Sequence, residues 1–166
     1  GWTLMSALAA ATSKIRIGSL VICNSFRNPA FLAKMAASLD NISQGRLELG
    51  LGAGWMKDEF DVLGRTFEKR GARIEEQVEI LRKLLSGKVV EHSGEHFSFP
   101  AMRMQPAPTE PVPIWMGGQN PAALRRTGQI ADGWSGSGQT YDEAVEILGT
   151  IASIRREAGR TDQRFE

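Results

Sequence analysis

The sequence predicts an α/β protein in which parallel strands are joined by helical crossovers. Segments of strand character alternate with helical patterns four times, with no block made of strands alone. The strand segments are short and nearly all apolar, as expected of strands buried on both faces of a parallel sheet. Glycines gather where those segments end, as Gly50, Gly52 and Gly54, as Gly117 and Gly118, and as Gly133, Gly136 and Gly138. A doubly wound sheet and a (β/α)8 barrel both have this pattern, and both bind ligands at the C-terminal ends of their strands. The glycine clusters therefore mark the candidate site.

Residues 3–12 read as a helix with Leu4, Leu8 and Ala11 on one face. The run IRIGSLVIC, from Ile15 to Cys23, reads as one strand buried on both sides. Asn28 followed by Pro29 is a helix start, a capping side chain ahead of a proline whose missing N–H costs nothing in the first turn. That helix carries Leu32, Met35, Ala36, Leu39 and Ile42 at helical spacing and stops near Gln44-Gly45. A second strand, RLELGLG, runs from Arg46 into the first glycine cluster, and residues 55–66 read as a loop. A helix of about five turns follows, seamed by Ile74, Val78, Leu81 and Leu85, with Gly87 at its C-terminal cap. Residues 88–99 have the signals of a β-hairpin turning at Ser93-Gly94, and a proline-rich connector leads to the strand Ile114-Trp115-Met116. Asn120-Pro121 repeats the capped helix start, Asp132-Gly133-Trp134 begins a short fourth strand, and Thr140 with Glu143 forms a capping box ahead of Ala144, Ile147, Leu148 and Ile151. A further strand is expected to start at Arg164-Phe165-Glu166.

Composition excludes several classes. With 166 residues, 42% hydrophobic, and 20 basic against 19 acidic residues, the chain has neither the basic stripe of a nucleic-acid binder nor the low apolar content of a disordered one. No stretch reaches the roughly 20 apolar residues of a membrane span, and no signal peptide is expected. A single cysteine, Cys23, excludes an intrachain disulfide framework and a Cys-based zinc site, and a reducing cytoplasm is the expected compartment.

Several motifs can be tested for chemistry. Gly50-Leu51-Gly52-Ala53-Gly54-Trp55 fails as a dinucleotide fingerprint, because Trp55 stands where the third glycine belongs and a charged loop follows in place of a helix. No Gly-Lys-Ser/Thr is present to make a P-loop. His92 and His96 flank the hairpin turn, a placement that suits an exposed hairpin rather than a metal, and no metal is expected. Cys23 reads as a small packed hydrophobe without a base beside it. Asp58 and Glu59 are either an acid/base pair or salt-bridge partners of Arg70 and Arg73. Trp55, Trp115 and Trp134 all fall at strand ends, where aromatics wall a pocket or fill a core.

The sequence resembles the bacterial luciferase-like flavin and deazaflavin oxidoreductases. The likeness is carried by Ala9 through Gly18, by Asn28-Pro29 through Ser43-Gln44-Gly45-Arg46, and by Gly50-x-Gly52-x-Gly54-Trp55-x-x-x-Glu59-Phe60. It continues through Phe67-Glu68-x-Arg70-Gly71-Ala72-Arg73, Pro113-Ile114-Trp115-Met116-Gly117-Gly118, Pro121 to Arg126, and Ala131-Asp132-Gly133-Trp134. Order and spacing hold from residue 3 to about residue 150.

The resemblance implies a TIM-like (β/α)8 barrel, present as an internal piece holding strands three to six and the start of the seventh, with residues 1–166 as one partial barrel domain and the hairpin 88–99 as an insertion. It implies a non-covalent cofactor, coenzyme F420 in preference to FMN, held by Leu20, Val21, Ile22, Gly52, Ala53, Gly54, Met116, Gly117 and Gly118. A cis peptide between Leu20 and Val21 is implied in the F420-using branch, and Trp55 and Trp134 are placed in the substrate pocket. Ala53 stands where luciferase itself has an arginine near the flavin phosphate, and Trp55 where sugar-phosphate dehydrogenases have an acid. The implied activity is hydride transfer between F420 and a small organic substrate. The alternatives are an FMN monooxygenase using O2 and a non-catalytic flavin-binding protein. A homodimer is the implied assembly of the full-length protein.

Overall fold

A computed structural model describes residues 1–166. The chain runs α1 (Trp2–Ala11), β1 (Ile17–Gly18), β2 (Ile22–Cys23), a 3-10 turn (Asn24–Phe26), α2 (Pro29–Ser43), β3 (Leu47–Gly52), α3 (Lys57–Val62) and α4 (Arg70–Leu85). It continues with β4 (Val89–Ser93), β5 (Ser98–Arg103), β6 (Ile114–Gly117), α5 (Pro121–Ile130), β7 (Gly133–Ser135) and α6 (Tyr141–Glu157).

The main sheet is parallel throughout, in the order β1–β3–β6–β7, with β2 also paired to β3. Spatial order follows chain order without a reversal. Right-handed crossovers then put every connecting helix on the same face, whereas a doubly wound sheet reverses its order and carries helices on both. That topology is half of the barrel alternative. Glu166 extends it: its N–H donates to the Asp132 carbonyl and its carbonyl accepts from the Trp134 N–H, so residue 166 sits beside β7 where the next strand is expected.

Local chemistry sets the helix starts. The Asn28 side chain accepts from the Ala30 N–H and the Asn120 side chain from the Ala123 N–H, both at 2.9 Å. Thr140 and Glu143 cap each other reciprocally at the start of α6. A core cluster of 22 buried residues lies between sheet and helices, with Leu47, Leu49, Leu51, Ile114 and Met116 from the strands against Leu32, Leu39, Ile80, Leu81 and Leu84 from α2 and α4. Asp132 ties α5 back to β6: its Oδ2 accepts from the Ile114 N–H at 2.9 Å and from Arg82 at 2.9 Å.

Five local expectations are corrected. The run from Ile15 to Cys23 is not one doubly buried strand: it is interrupted between β1 and β2, and Ile15 and Leu20 are exposed. In α1 the buried residues are Met5 and Ala9, while Leu4 and Leu8 face outward. Part of the expected loop 55–66 is the short helix α3, which has no side-chain cap to signal it. The hairpin spans Val89 to Arg103, because Pro100 sits within β5 instead of ending it; this two-stranded ribbon leaves proline an unpaired edge. Ile42 and Leu148 lie on the outer sides of α2 and α6, where they are exposed.

Candidate active site

Side chains alternate across β3. Leu47, Leu49 and Leu51 enter the helix layer, so Glu48, Gly50 and Gly52 point to the opposite face. Pairing extends this to the neighbours. Trp115 lies beside Gly50 and Gly133 beside Trp115, while Met116 lies beside Leu51 on the helix side. The helix-free face is thus lined by Glu48, Gly50, Gly52, Trp115, Gly117 and Gly133, three strands contributing more glycine than side chain.

The first strand position supplies what covers those glycines. Gly18 pairs with Glu48 and Ile22 with Leu51, so four residue steps oppose three, and the extra residue makes a bulge at Ser19-Leu20-Val21. The Leu20–Val21 peptide is cis. Leu20 is 81% exposed and Val21 37%. The Val21 side chain lies across the glycines: a Cβ built on Gly50 would be 3.2 Å from Val21 Cγ1, on Gly52 2.8 Å from Cγ2, and on Gly117 3.5 Å from Cγ2. The bulge is fastened by Ser19, whose Oγ accepts from the Gly50 N–H at 3.2 Å and donates to the Gly50 carbonyl at 2.8 Å.

Behind β3 the chain turns through Ala53 and Gly54 under a support of aromatic rings. Phe60 from α3 stands edge-on to Phe26 and Phe67, with centroids 5.2 and 5.1 Å apart. Gly54 has φ +84, and a Cβ there would lie 2.7 Å from both Cys23 Sγ and the Phe60 ring. Arg70 caps this packing: its guanidinium lies 3.8 Å from the Phe67 ring centroid, and its Nε donates to the Gly54 carbonyl at 3.0 Å. Burial pushes the Cys23 thiol pKa up, so the sulfur is held as a thiol and not as a nucleophilic thiolate.

The residues singled out from the sequence divide accordingly. Leu20, Val21, Gly52 and Gly117 meet at one spot. Ala53 and Gly54 form the turn beside it, while Gly118 follows β6 at φ +111. Ile22 is half-buried against the core, and the Met116 side chain is buried within it, so Met116 has only its backbone to offer a ligand. Trp134 shares the Met116 side of the sheet, and its Nε1 donates to the Gly118 carbonyl at 2.9 Å. Trp55 is 79% exposed on the turn after Gly54. Arg70 and Arg73 do not pair with Asp58 or Glu59; Arg73 donates to the carbonyls of Thr66 and Glu68, bracing the start of α4. His92 is buried, contrary to the expected exposed hairpin: its Nε2 lies 3.0 Å from Glu76 Oε1 on α4.

Sequence reasoning missed one group on the helix-free face. Arg16 pairs with Glu48 at 2.6 Å and with Glu166 at 2.8 Å, and Trp115 Nε1 donates to Glu48 at 2.5 Å with its ring lying against Gly133. The signal was present as a single charge at alternate positions, Arg16 in IRIG and Glu48 in LELGLG, which a strand with two apolar faces does not tolerate.

A family model described as luciferase-like monooxygenase matches residues 1–166. The chain belongs to the luciferase-like monooxygenase family. It is 39% identical over 160 residues to an uncharacterized protein of Mycobacterium tuberculosis, a match covering 96% of this chain and 55% of that protein. It is 33% identical over 170 residues to the pyrimidine monooxygenase RutA of Methylobacterium radiotolerans, covering 98% of this chain and 44% of that one. Among solved structures, an F420-dependent secondary alcohol dehydrogenase in complex with an F420–acetone adduct superposes with a TM-score of 0.87 at 27% identity, over 96% of this chain and 50% of the other. The chain spans about half the length of the relatives it matches. This likeness settles the barrel alternative over the doubly wound one. No helix is long and apolar enough to cross a membrane.

Proposed function

We propose that the full-length protein is an F420-dependent oxidoreductase acting on a small organic substrate, and that this chain supplies the seat for the deazaflavin ring. The observation that carries the reading is the exposed apolar bulge, Leu20 and Val21, set over a floor cleared of side chains by Gly50, Gly52 and Gly117. A flat ring fits such a surface, because the glycines let Val21 lie low across the sheet and the bulge offers the ring aliphatic contact. Ile22, Ala53, Gly54, Met116 and Gly118 belong to the same seat, through backbone groups that can meet polar edges and a phosphate. Trp55 is assigned to the substrate side; Trp134, whose side chain lies on the other face of the sheet, reaches this region only through its hydrogen bond to the Gly118 carbonyl.

When bound, F420 supplies a hydride donor or acceptor on its ring. The chain's own work is positional. Val21 and Leu20 fix the height at which a ring can rest, the glycines decide which side is open, and Arg70 holds the turn after β3 through the Gly54 carbonyl. Trp55, exposed on the turn after Gly54, is assigned the role of limiting the size of what stacks there.

A second reading, an FMN-dependent monooxygenase using O2, is favoured by the 33% identity to a pyrimidine monooxygenase. Titrating the full-length protein with F420 and with FMN, then following oxidation of the reduced forms with and without O2, separates the two. The proposed function is expected to give micromolar F420 binding and oxidation that needs an organic acceptor but not O2. Tight FMN binding with O2 consumption would establish the second reading, and binding of neither cofactor at micromolar concentration would remove both. The small-molecule substrate, a cytoplasmic location and a homodimeric assembly belong to the same proposal.

A further inference from the structure

Between the pairs Gly18–Glu48 and Ile22–Leu51 the first strand leaves the regular ladder for three residues. A bulge of this kind removes backbone partners from the neighbouring strand and has to be held by something else. Here the substitute is a side chain. Ser19 Oγ takes the Gly50 N–H and gives its own hydrogen to the Gly50 carbonyl, so one hydroxyl serves the donor and the acceptor of a single residue of β3. The interlock is steric as well: a Cβ on Gly50 would overlap the Ser19 carbonyl oxygen. Ser19 is half-buried, and the two residues after it are the ones that stand proud of the sheet over Gly52 and Gly117.

We propose that Ser19 is a positioning residue for the cofactor seat, its hydroxyl fixing the height and tilt of Leu20 and Val21 above the glycine floor. The inference rests on the reading of that bulge as the ring's resting place. It assigns Ser19 no contact with a cofactor and no part in bond making. A serine or threonine can fill the role, because it needs one short side chain that both donates and accepts; alanine and valine cannot. The sequence concealed it, since a lone serine inside IRIGSLVIC reads as a tolerated polar residue in an apolar strand.

The test compares Ser19→Ala, Ser19→Thr and a remote destabilising control, Val78→Ala on the buried side of α4, in the full-length protein. Ser19→Ala is expected to weaken F420 binding about tenfold, the scale of two modest hydrogen bonds, and to change the visible circular dichroism of the bound ring. Ser19→Thr restores affinity to within about twofold, and Val78→Ala lowers the melting temperature while leaving affinity and dichroism as in the wild type. Amide exchange supplies a readout that needs no cofactor: exchange at Gly50 and at residues 20–22 rises about tenfold in Ser19→Ala but not in Ser19→Thr. Wild-type affinity in Ser19→Ala, equal losses in the alanine and threonine variants, or unchanged exchange at Gly50 each overturn the positioning role. Failure of the wild type to bind either cofactor removes the cofactor reading instead, and the exchange data then decide by themselves whether Ser19 pins the bulge.

Discussion

Along β3, neighbouring residues serve opposite ends. Leu47, Leu49 and Leu51 are at most 1% exposed in the helix layer, whereas Glu48, Gly50 and Gly52, one step away each, face the side without helices. The first set buries apolar area and holds the strand. The second set gives up that contribution: two of its three residues have no side chain, and the third is a carboxylate kept by Arg16 and Trp115. A strand two residues per turn of the pleat can thus be stability on one face and site on the other. Substitutions that respect the alternation should separate the two properties cleanly.

The largest effect is expected on the helix side. Leu49→Ala opens a cavity in a fully buried position and should cost about 2–5 kcal/mol in a urea or thermal melt, with cofactor affinity of the folded protein little changed. Next is Gly54→Ala, at the rim of the seat. Its φ of +84 and the 2.7 Å approach to Cys23 Sγ and Phe60 point to a loss of about 1–3 kcal/mol, and here affinity should fall together with stability, because the same turn serves both.

Smaller effects define the parts that belong to neither face. Thr140→Ala removes the capping box of α6 and should cost about 1 kcal/mol by denaturant melt without touching cofactor binding. The hairpin offers a pH test. Burial opposes ionisation of Glu76, yet hydrogen bonds from the His92 ring and from the N–H groups of His96 and Phe97 outweigh it and bring its pKa below the ordinary 4.5. A carboxylate with a lowered native pKa contributes stability that is present above its unfolded value and lost as pH falls through its folded one. Protection of the His96 and Phe97 amides, taken relative to the intrinsic exchange rate at each pH, should therefore fall as pH drops below 4.5, with Lys83 and Glu79, the other charged groups at His92, shaping the slope. Glu76→Gln should flatten that dependence.

What could be read in the sequence was what is local. Asn28-Pro29, Asn120-Pro121 and Thr140 with Glu143 each announce a helix start by contacts within three residues, and all three are realised. Alternation of strand and helix conveyed the parallel sheet, but only the order β1–β3–β6–β7 decides on which face the helices lie. The family resemblance placed a cis peptide at Leu20–Val21, where the structure has it, but the residues by themselves did not show how the bulge is held, because that depends on register against β3: nothing inside IRIGSLVIC distinguishes Ser19 as the residue that meets Gly50. Likewise Gly50, Gly52 and Gly117 are visible as strand-end glycines, but that Val21 occupies the space above them follows from pairing between residues about 30 to 100 apart in sequence. His92 was misread for the same reason, its partner Glu76 lying on the preceding helix.

The central claim is that a cofactor ring rests against the Leu20–Val21 bulge, for which Gly50, Gly52 and Gly117 make room, and Gly117 tests it most directly. A Cβ there meets Val21 and Ser135 only at ordinary contact distances, 3.5 to 3.7 Å, so the site accepts a β-carbon, and in Gly117→Leu the rest of the side chain rises past Val21 toward the seat, with a thermal melt checking that the variant is folded. Titration of the full-length variant with F420 is expected to show at least a tenfold loss of affinity. Wild-type affinity in a well-folded Gly117→Leu protein would contradict the account.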